Sequence, residues 1–156
     1  MSRHFRGLDG GFCILYPINM TLVLVVCHGD LAPALVDTAR MIVGDAGRVT
    51  PVRFTPGMGP DDLTEAVEAA LRPEADGPVP LILTDLVGGT PARIAATLTA
   101  AGRAETVTGV NLSMLVEVLL SDQAQPATEL AALAVRAGSD GVQDLGRSLR
   151  DQGVLP

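Results

Sequence analysis

Residues 22–30 read LVLVVCHGD and decide the fold. A continuous run of apolar, largely β-branched side chains is typical of a central parallel strand that is buried on both faces. This run ends at His28. A second run, VPLILT at residues 79–84, ends in the same way at Asp85. We expect the two strand ends to lie side by side and to form one site.

Helical patterns separate these strands. Leu31, Leu35 and Ile42 share one face of a helix that ends before Gly44. Strands are predicted at residues 21–27, 48–54, 79–84 and 105–108. Further helices are predicted to start at Asp62 with Glu65 as its capping-box partner, at Thr90 as N-cap with Pro91, at Asn111 and at Pro126, with Gly138 ending the last.

Strands that alternate with helices at this spacing indicate right-handed βαβ units. We therefore predict an α/β fold, a doubly wound three-layer sandwich around a mainly parallel sheet. Numbered along the chain, its strands have the order 2-1-3-4. Ligands of such sheets bind beyond the carboxyl ends of the strands, where the strand order reverses. That point lies between the first and third strands, which end at His28 and Asp85.

The length of 156 residues suits one domain. Met20 directly precedes the first strand, so we predict a single domain over residues 20–156 and a peripheral extension over residues 1–19. Pro17 and Asn19 interrupt the apolar stretch near the N-terminus, which argues against a signal peptide or a membrane span. We expect no direct membrane insertion.

Composition excludes several functions. The formal net charge is -7 at pH 7 and all 11 of the Lys and Arg residues are arginine, so a dense basic face for nucleic acid is not expected. The lack of lysine excludes a Walker-A loop and Schiff-base chemistry. Two cysteines, Cys13 and Cys27, are too few for a disulfide framework and favour a cytoplasmic protein.

His28 is the candidate nucleophile. A histidine at a strand end is often only a structural hydrogen-bonding group, but Gly29 leaves room for another molecule beside this ring. A carboxylate that hydrogen-bonds one imidazole nitrogen fixes the tautomer and leaves a free lone pair on the other. Asp85 is placed to do this and to stabilise the positive ring formed during attack. We predict His28 and Asp85 as the catalytic pair.

The sequence after Asp85 predicts an anion site. Glycines before a helix let backbone N–H groups converge on an anion, which the helix dipole also favours. We therefore predict Gly29, Gly88, Gly89 and Thr90 as phosphate-binding residues. A nucleophilic histidine, an orienting carboxylate and an anion site together describe a residue that carries a phosphoryl group.

No metal and no cofactor are expected. Cys27 and His28 are consecutive in a strand and point to opposite faces, so they are poorly placed to ligate one ion. The sequence shows no serine or cysteine nucleophile with a second base. Cys27 is therefore expected to be a small core residue.

Three motifs occur in order along residues 20–145. They are His28-Gly29 after the first strand, TDLVGGTP at residues 84–91 after the third, and GVNLSML at residues 109–115 after the fourth. Together they resemble the enzyme IIA component of the mannose family of the bacterial phosphotransferase system (PTS).

The resemblance implies a phosphotransferase that serves sugar transport or a regulatory branch without transport. His28 would accept a phosphoryl group on Nε2 from the phosphorylated carrier HPr, with Nδ1 hydrogen-bonded to Asp85. It would pass the group to an enzyme IIB on a separate chain, in this family to a histidine. The family is dimeric and exchanges a C-terminal edge strand, which residues 139–145 would form. The residues of this tail themselves leave a short edge strand and a loose helix open.

Some positions depart from the family pattern. Thr90 stands where serine is common and keeps the hydroxyl, and Ala92-Arg93 stands where Phe-Asn is frequent. Arg93 would contact the phosphate or an acidic patch on a partner, or lie in solvent. We expect docking mainly through an apolar rim, and the predicted partner-binding residues are Leu31, Pro33, Met58, Pro91 and Arg93.

Two other functions stay open. The phosphotransfer subunit of a dihydroxyacetone kinase also uses a histidine near its N-terminus, although residues 85–91 and 109–115 favour an enzyme IIA. In a small-molecule-binding regulatory domain, which is a non-catalytic alternative, His28 would be only a ligand contact.

Overall fold

Strands and helices alternate along most of the chain. The computed structural model describes residues 4–6, 12–14, 19–45, 47–71 and 77–155. Its strands are β1 (His4–Arg6), β2 (Phe12–Ile14), β3 (Val23–His28), β4 (Val49–Phe54), β5 (Leu81–Thr84) and β6 (Glu105–Thr108). Its helices are α1 (Leu31–Val43), α2 (Pro60–Leu71), α3 (Thr90–Ala100), α4 (Leu112–Leu120), α5 (Ala127–Asp140) and α6 (Leu145–Asp151).

Four strands form a parallel sheet in the order β4-β3-β5-β6. This is the predicted order 2-1-3-4, which is confirmed. β3 is a central strand, with Val25 opposite both Pro51 of β4 and Leu83 of β5. Residues 21–27 are all buried, because this segment has neighbours on both edges and helices on both faces. β3 begins two residues later than predicted and includes His28.

Helices cover both faces of the sheet. Val25 and Leu83 belong to a buried cluster with α1, α4 and α5, in which Val36 also lies. The side chains of Leu24 and Ile82 point the other way and join a second cluster with α2 and α3. These clusters are the two interfaces of the three-layer sandwich that the sequence predicts.

The two edges of the sheet differ. Val23 donates its N–H to the carbonyl of Arg48, and Gly29 donates to that of Phe54. In this parallel ladder the even-numbered residues of β4 therefore face β3, and Pro51 lies on the outer edge. Proline has no N–H, so a further strand cannot pair fully with β4. β6 contains no proline, and its outer edge keeps its donors.

The start of α2 differs from the prediction. The helix begins at Pro60 rather than Asp62, because proline has the φ required at the first helical position. Counted from Pro60, Asp62 is the third residue of the helix. Its carboxylate accepts the N–H of Gly59 at 2.7 Å. The predicted capping box of Asp62 with Glu65 is therefore wrong. Asn111 caps α4 as predicted.

Two predicted helix boundaries differ in the structure, and each involves a glycine. Gly89 is the N-cap of α3 and Thr90 is its first residue, without a side-chain cap bond, so the predicted N-cap role of Thr90 is wrong. Gly138 does not end α5, which continues to Asp140. A Cβ at Gly138 would lie 2.6 Å from the Cε atom of Met114, so this glycine permits close packing of α5 on α4.

The C-terminal tail is helical. α5 runs through Asp140, a turn follows, and α6 completes the tail. The expected antiparallel edge strand at residues 139–145 does not form in this chain. Local hydrogen bonds satisfy the backbone instead, since the Asp144 carboxylate accepts the N–H of Arg147 at 2.9 Å and so caps α6.

β1 and β2 lie within the predicted N-terminal extension. They pair with each other in antiparallel fashion, with Phe5 opposite Cys13, and the four-stranded sheet does not include them. The domain boundary at residue 20 stays a prediction. Within the described ranges, no helix is both long enough and apolar enough to cross a membrane.

Candidate active site

Neighbouring strands deliver two polar side chains to one point. His28 is the last residue of β3 and Asp85 directly follows β5, which pairs with β3. The Oδ2 atom of Asp85 lies 2.8 Å from Nδ1 of His28. The structure therefore brings these two residues together at the carboxyl edge of the sheet, where the strand order reverses.

Asp85 holds His28 at two points. Its Oδ2 accepts the backbone N–H of His28 at 2.8 Å as well as Nδ1–H, and its Oδ1 accepts the N–H of Leu86 at 2.8 Å. Burial alone would raise the pKa of Asp85, whose side chain is 14% exposed, but these hydrogen bonds outweigh burial and lower the pKa below 3.8. Asp85 is thus a carboxylate at neutral pH.

This carboxylate determines the tautomer of His28. A carboxylate only accepts hydrogen bonds, so Nδ1 carries the proton and Nε2 of the neutral ring keeps a free lone pair. The His28 side chain is 43% exposed, so an approaching molecule can reach the ring. An anchored Nδ1 and an available Nε2 are what a nucleophilic histidine requires.

The loop after Asp85 lies against one edge of the ring. A Cβ at Gly89 would lie 2.9 Å from Cε1 of His28 and 3.6 Å from Nε2, so a larger residue could not approach this closely without displacing the ring. Gly88 and Gly29 have φ angles of 80° and 58°, which favour glycine. Gly89 therefore permits a close approach to the imidazole, whereas Gly29 and Gly88 serve the turns beside it, since a Cβ at either would meet nothing within 4 Å.

The start of α3, where the sequence predicts an anion site, carries several backbone amides. The N–H of Gly89 donates to the carbonyl of Leu86 at 3.1 Å, so it is already used. The N–H of Arg93 donates to the carbonyl of Gly89 at 3.0 Å. Thr90 and Ala92, in the first turn, have N–H groups without an intrahelical acceptor. These two amides are the donors available to an anion at this helix start.

Cys27 lies beneath the site and is fully buried in the core. Burial, together with the charge of Asp85, raises the pKa of its thiol to about 12, so the thiol stays neutral and unreactive. In the described part of the chain, no cluster of three or more His, Cys, Asp or Glu side chains could hold a metal ion.

The apolar surface near the site differs from the predicted rim. Leu31 is exposed, whereas Pro33 and Met58 are half-buried. Pro91 is buried in the first turn of α3. It therefore offers little side-chain surface, and its role in docking stays a prediction.

Leu86 and Val87 are the most exposed apolar residues next to the catalytic pair. They connect Asp85 to Gly88 and are 61% and 76% exposed. The sequence prediction does not include either residue in the docking rim. The available signal is that they follow a polar residue at a strand end, where the chain has left the sheet.

Two arginines flank the site. Arg53, at the end of β4, pairs with Asp30 at 3.0 Å. Arg93 lines an open groove of about 560 Å³ beside Val87 and Gly88. Within the described residues Arg93 has no ion pair, so its charge is available to a ligand or a partner.

The fold and the site together define a class of protein. A doubly wound α/β domain that presents an exposed histidine, anchored by a carboxylate beside a helix N-terminus, is suited to carry a phosphoryl group. Residues 22–135, which include His28 and Asp85, match the model of the family described as PTS system fructose IIA component. The chain belongs to this family, as the three sequence motifs predict.

Several relatives and solved structures are similar to this chain. The mannose-specific EIIAB component of the PTS of Escherichia coli K12 is 36% identical over 129 residues, which cover 81% of this chain and 40% of that protein. The chain thus spans about two fifths of the length of this relative. The sorbose-specific EIIA component of Lacticaseibacillus casei is 32% identical over 111 residues, 70% of this chain and 80% of that protein. The mannose/sorbose specific IIA subunit of Enterococcus faecalis superposes with a TM-score of 0.75 at 28% identity, over 81% of this chain and 95% of that structure.

The close approach of Gly89 to His28 gives a first prediction. We expect Gly89→Ala to push the imidazole away from Asp85 and to cost about 1–3 kcal/mol of stability, because the new Cβ overlaps Cε1. The measurement is the NMR signal of the His28 ring nitrogens together with urea unfolding. Gly59→Ala is the control, since its Cβ would meet only a carboxylate oxygen of Asp62 at 3.6 Å. Unchanged ring signals in Gly89→Ala would contradict the prediction.

The lowered pKa of Asp85 gives a second prediction. As the pH falls, the carboxyl of Asp85 takes up its proton in the unfolded state before it does so in the folded state. Its hydrogen bonds therefore stabilise the fold above pH 3.8, and this contribution is lost as the pH falls further. We expect the difference in unfolding free energy between wild type and Asp85→Asn to shrink as the pH falls below about 4. Asp61→Asn, at an exposed carboxylate of α2, controls for the loss of a surface charge. A difference that is constant or grows in acid would refute this linkage.

Proposed function

We propose that this protein is a phosphoryl carrier of the bacterial sugar PTS. In this proposal His28 accepts a phosphoryl group from phosphorylated HPr and passes it to an enzyme IIB. The observation that carries the proposal is the hydrogen bond between Nδ1 of the exposed His28 and the Asp85 carboxylate, because it leaves Nε2 as the nucleophile. Membership of the IIA family supports the same conclusion.

Each transfer is a displacement at phosphorus. The Nε2 lone pair of His28 attacks the phosphorus of the donor phosphohistidine and forms a new P–N bond. The donor P–N bond breaks, and its electron pair returns to the donor nitrogen. Nδ1 keeps its proton throughout, so the ring becomes positive while it faces the Asp85 carboxylate. The second transfer repeats these steps with the acceptor as the attacking group.

The start of α3 would stabilise the transferred group. A group on Nε2 lies near Gly89, next to the N–H groups of Thr90 and Ala92 and the positive end of the helix dipole. Gly29 would contribute space rather than a hydrogen bond, because its N–H donates to the carbonyl of Phe54 at 2.9 Å. The anion site is therefore on the β5–α3 side of the ring.

The partners would dock on the apolar surface around His28. A donor must bring phosphorus within bonding distance of Nε2, so it has to cover Leu31, Leu86 and Val87. The net charge of -7 favours a partner whose contact surface is basic or apolar. HPr and an enzyme IIB on a separate chain would use this surface in turn, with Arg93 at its margin.

We also infer a homodimer in the cytoplasm. The outer edge of β6 keeps its backbone donors, and Val142 and Leu145 of the C-terminal tail are exposed apolar residues that a second copy would cover. The scarcity of cysteine supports the cytoplasm as the location.

The two alternative functions differ in whether His28 would carry a phosphoryl group. A phosphotransfer subunit of a dihydroxyacetone kinase would also carry the group on a histidine, and the family match over residues 22–135 favours the enzyme IIA instead. A non-catalytic regulatory domain that binds a small molecule would take no phosphoryl group on His28. Labelling therefore separates the regulatory domain from both carriers.

The third prediction concerns the nucleophile. After incubation with enzyme I, HPr and labelled phosphoenolpyruvate, we expect acid-labile, base-stable label on the wild type and none on His28→Ala. Asp85→Ala should fold and accept the label at least about 100-fold more slowly, because the tautomer is no longer fixed. Asp30→Asn, an exposed carboxylate close to His28 in sequence, is the matched control and should label normally. Label on His28→Ala would end the assignment.

The fourth prediction concerns docking. We expect Val87→Asp to raise the KM for phosphorylated HPr about 10-fold without changing the unfolding temperature, because an exposed apolar contact becomes a solvated charge. Val135→Asp, at a 52% exposed apolar position on α5, is the control and should transfer normally. Equal KM values for the two variants would place the interface elsewhere.

A further inference from the structure

The imidazole of His28 has a third contact besides Asp85 and Gly89. Phe54 ends β4 directly opposite His28, in the last residue pair of the β3–β4 ladder. The two ring centroids are 5.5 Å apart and the ring planes are inclined by 67°. This is the edge-to-face arrangement that aromatic rings prefer over a face-to-face stack.

Phe54 also holds the backbone behind the ring. Its carbonyl accepts the N–H of Gly29 at 2.9 Å, which extends the strand pairing one residue beyond His28. The chain then turns at Gly29 with φ of 58°. One residue thus contacts the imidazole with its side chain and fixes the turn after it with its carbonyl.

Phe54 is itself fixed in place. Its side chain is half-buried and packs against the cluster between the sheet and α2 and α3, together with Met58. The loop that follows is closed by two bonds, from the N–H of Met58 to the carbonyl of Thr55 at 3.1 Å and from the N–H of Thr55 to Sδ of Met58 at 3.3 Å. The phenyl ring therefore has little freedom to move away from His28.

We propose that Phe54 is a positioning residue for His28. Asp85 fixes Nδ1 and Gly89 borders Cε1, but a ring held in this way can still tilt within the angular tolerance of its hydrogen bond. The phenyl ring restrains this tilt and so helps to hold Nε2 next to Gly89 at the start of α3. The proposal rests on the proposed function for its rate measurement only, because ring orientation exists without any partner.

The variants separate positioning from packing. Phe54→Leu removes the aromatic contact and keeps most of the apolar volume, whereas Phe54→Tyr keeps the ring. Val52→Ala is the matched control, because Val52 is a buried member of the same core cluster, two residues earlier on the same face of β4. It weakens the same core without touching His28.

Two readouts decide the outcome. In the NMR spectrum of the unphosphorylated protein, we expect Phe54→Leu to shift and broaden the His28 ring-nitrogen signals, because the ring tilts more freely on its hydrogen bond to Asp85. Phe54→Tyr and Val52→Ala should keep the wild-type signals. In the labelling assay, Phe54→Leu should lower kcat/KM for transfer from HPr about 3- to 10-fold, a loss that Phe54→Tyr restores.

Contrary results are distinguishable. Wild-type signals and rate in Phe54→Leu, or equal changes in Val52→Ala, would overturn the role of Phe54 and leave the phosphoryl carrier intact. A wild type that takes no label from HPr would instead refute the proposed function, while the NMR comparison would still decide whether Phe54 orients the ring.

Discussion

The hydrogen bonds between Asp85 and His28 are the interaction on which the site depends. One carboxylate oxygen of Asp85 accepts both the backbone N–H and Nδ1–H of His28. The same residue therefore connects the end of β3 to the end of β5 and sets the tautomer of the imidazole. The same hydrogen bonds keep Asp85 ionised despite its burial. A neutral residue in this position could pair with the backbone but could not balance a positive ring.

The parallel sheet makes this pairing possible. Three of the four strands contribute one group at or just after their carboxyl ends: the imidazole comes from β3, the carboxylate from β5 and the phenyl ring of Phe54 from β4. The following helix supplies its N-terminal amides, and Gly89 lets that backbone approach the ring. Strand order thus brings together His28 and Asp85, which are 57 positions apart in sequence. With contacts to Asp85, Gly89 and Phe54, the imidazole keeps Nε2 as its free nitrogen.

The sequence predicts the sheet, the layers and the pairing of His28 with Asp85, because buried runs that end in polar residues are a strong local signal. It fails where tertiary contacts decide. Gly138 reads as a helix stop, although it serves helix packing. Val87 is absent from the predicted docking residues, because its exposure depends on how the loop leaves the sheet. The contact of Phe54 with His28 requires the register of two strands, which no local pattern contains. Residues 139–145 have no strong preference, so local hydrogen bonds decide that they form the end of α5, a turn and the start of α6.

Pro51 has a consequence for how copies of this chain can assemble. Because it removes a donor from the outer side of β4, β6 is the one edge of the four-stranded sheet that can pair with another strand along its full length. If only one edge of the sheet can pair, two copies that join through that edge leave no further edge free for pairing. If both edges can pair, copies can be added without limit. Pro51, on the far edge of the sheet, therefore disfavours the open-ended addition of strands that leads to fibres.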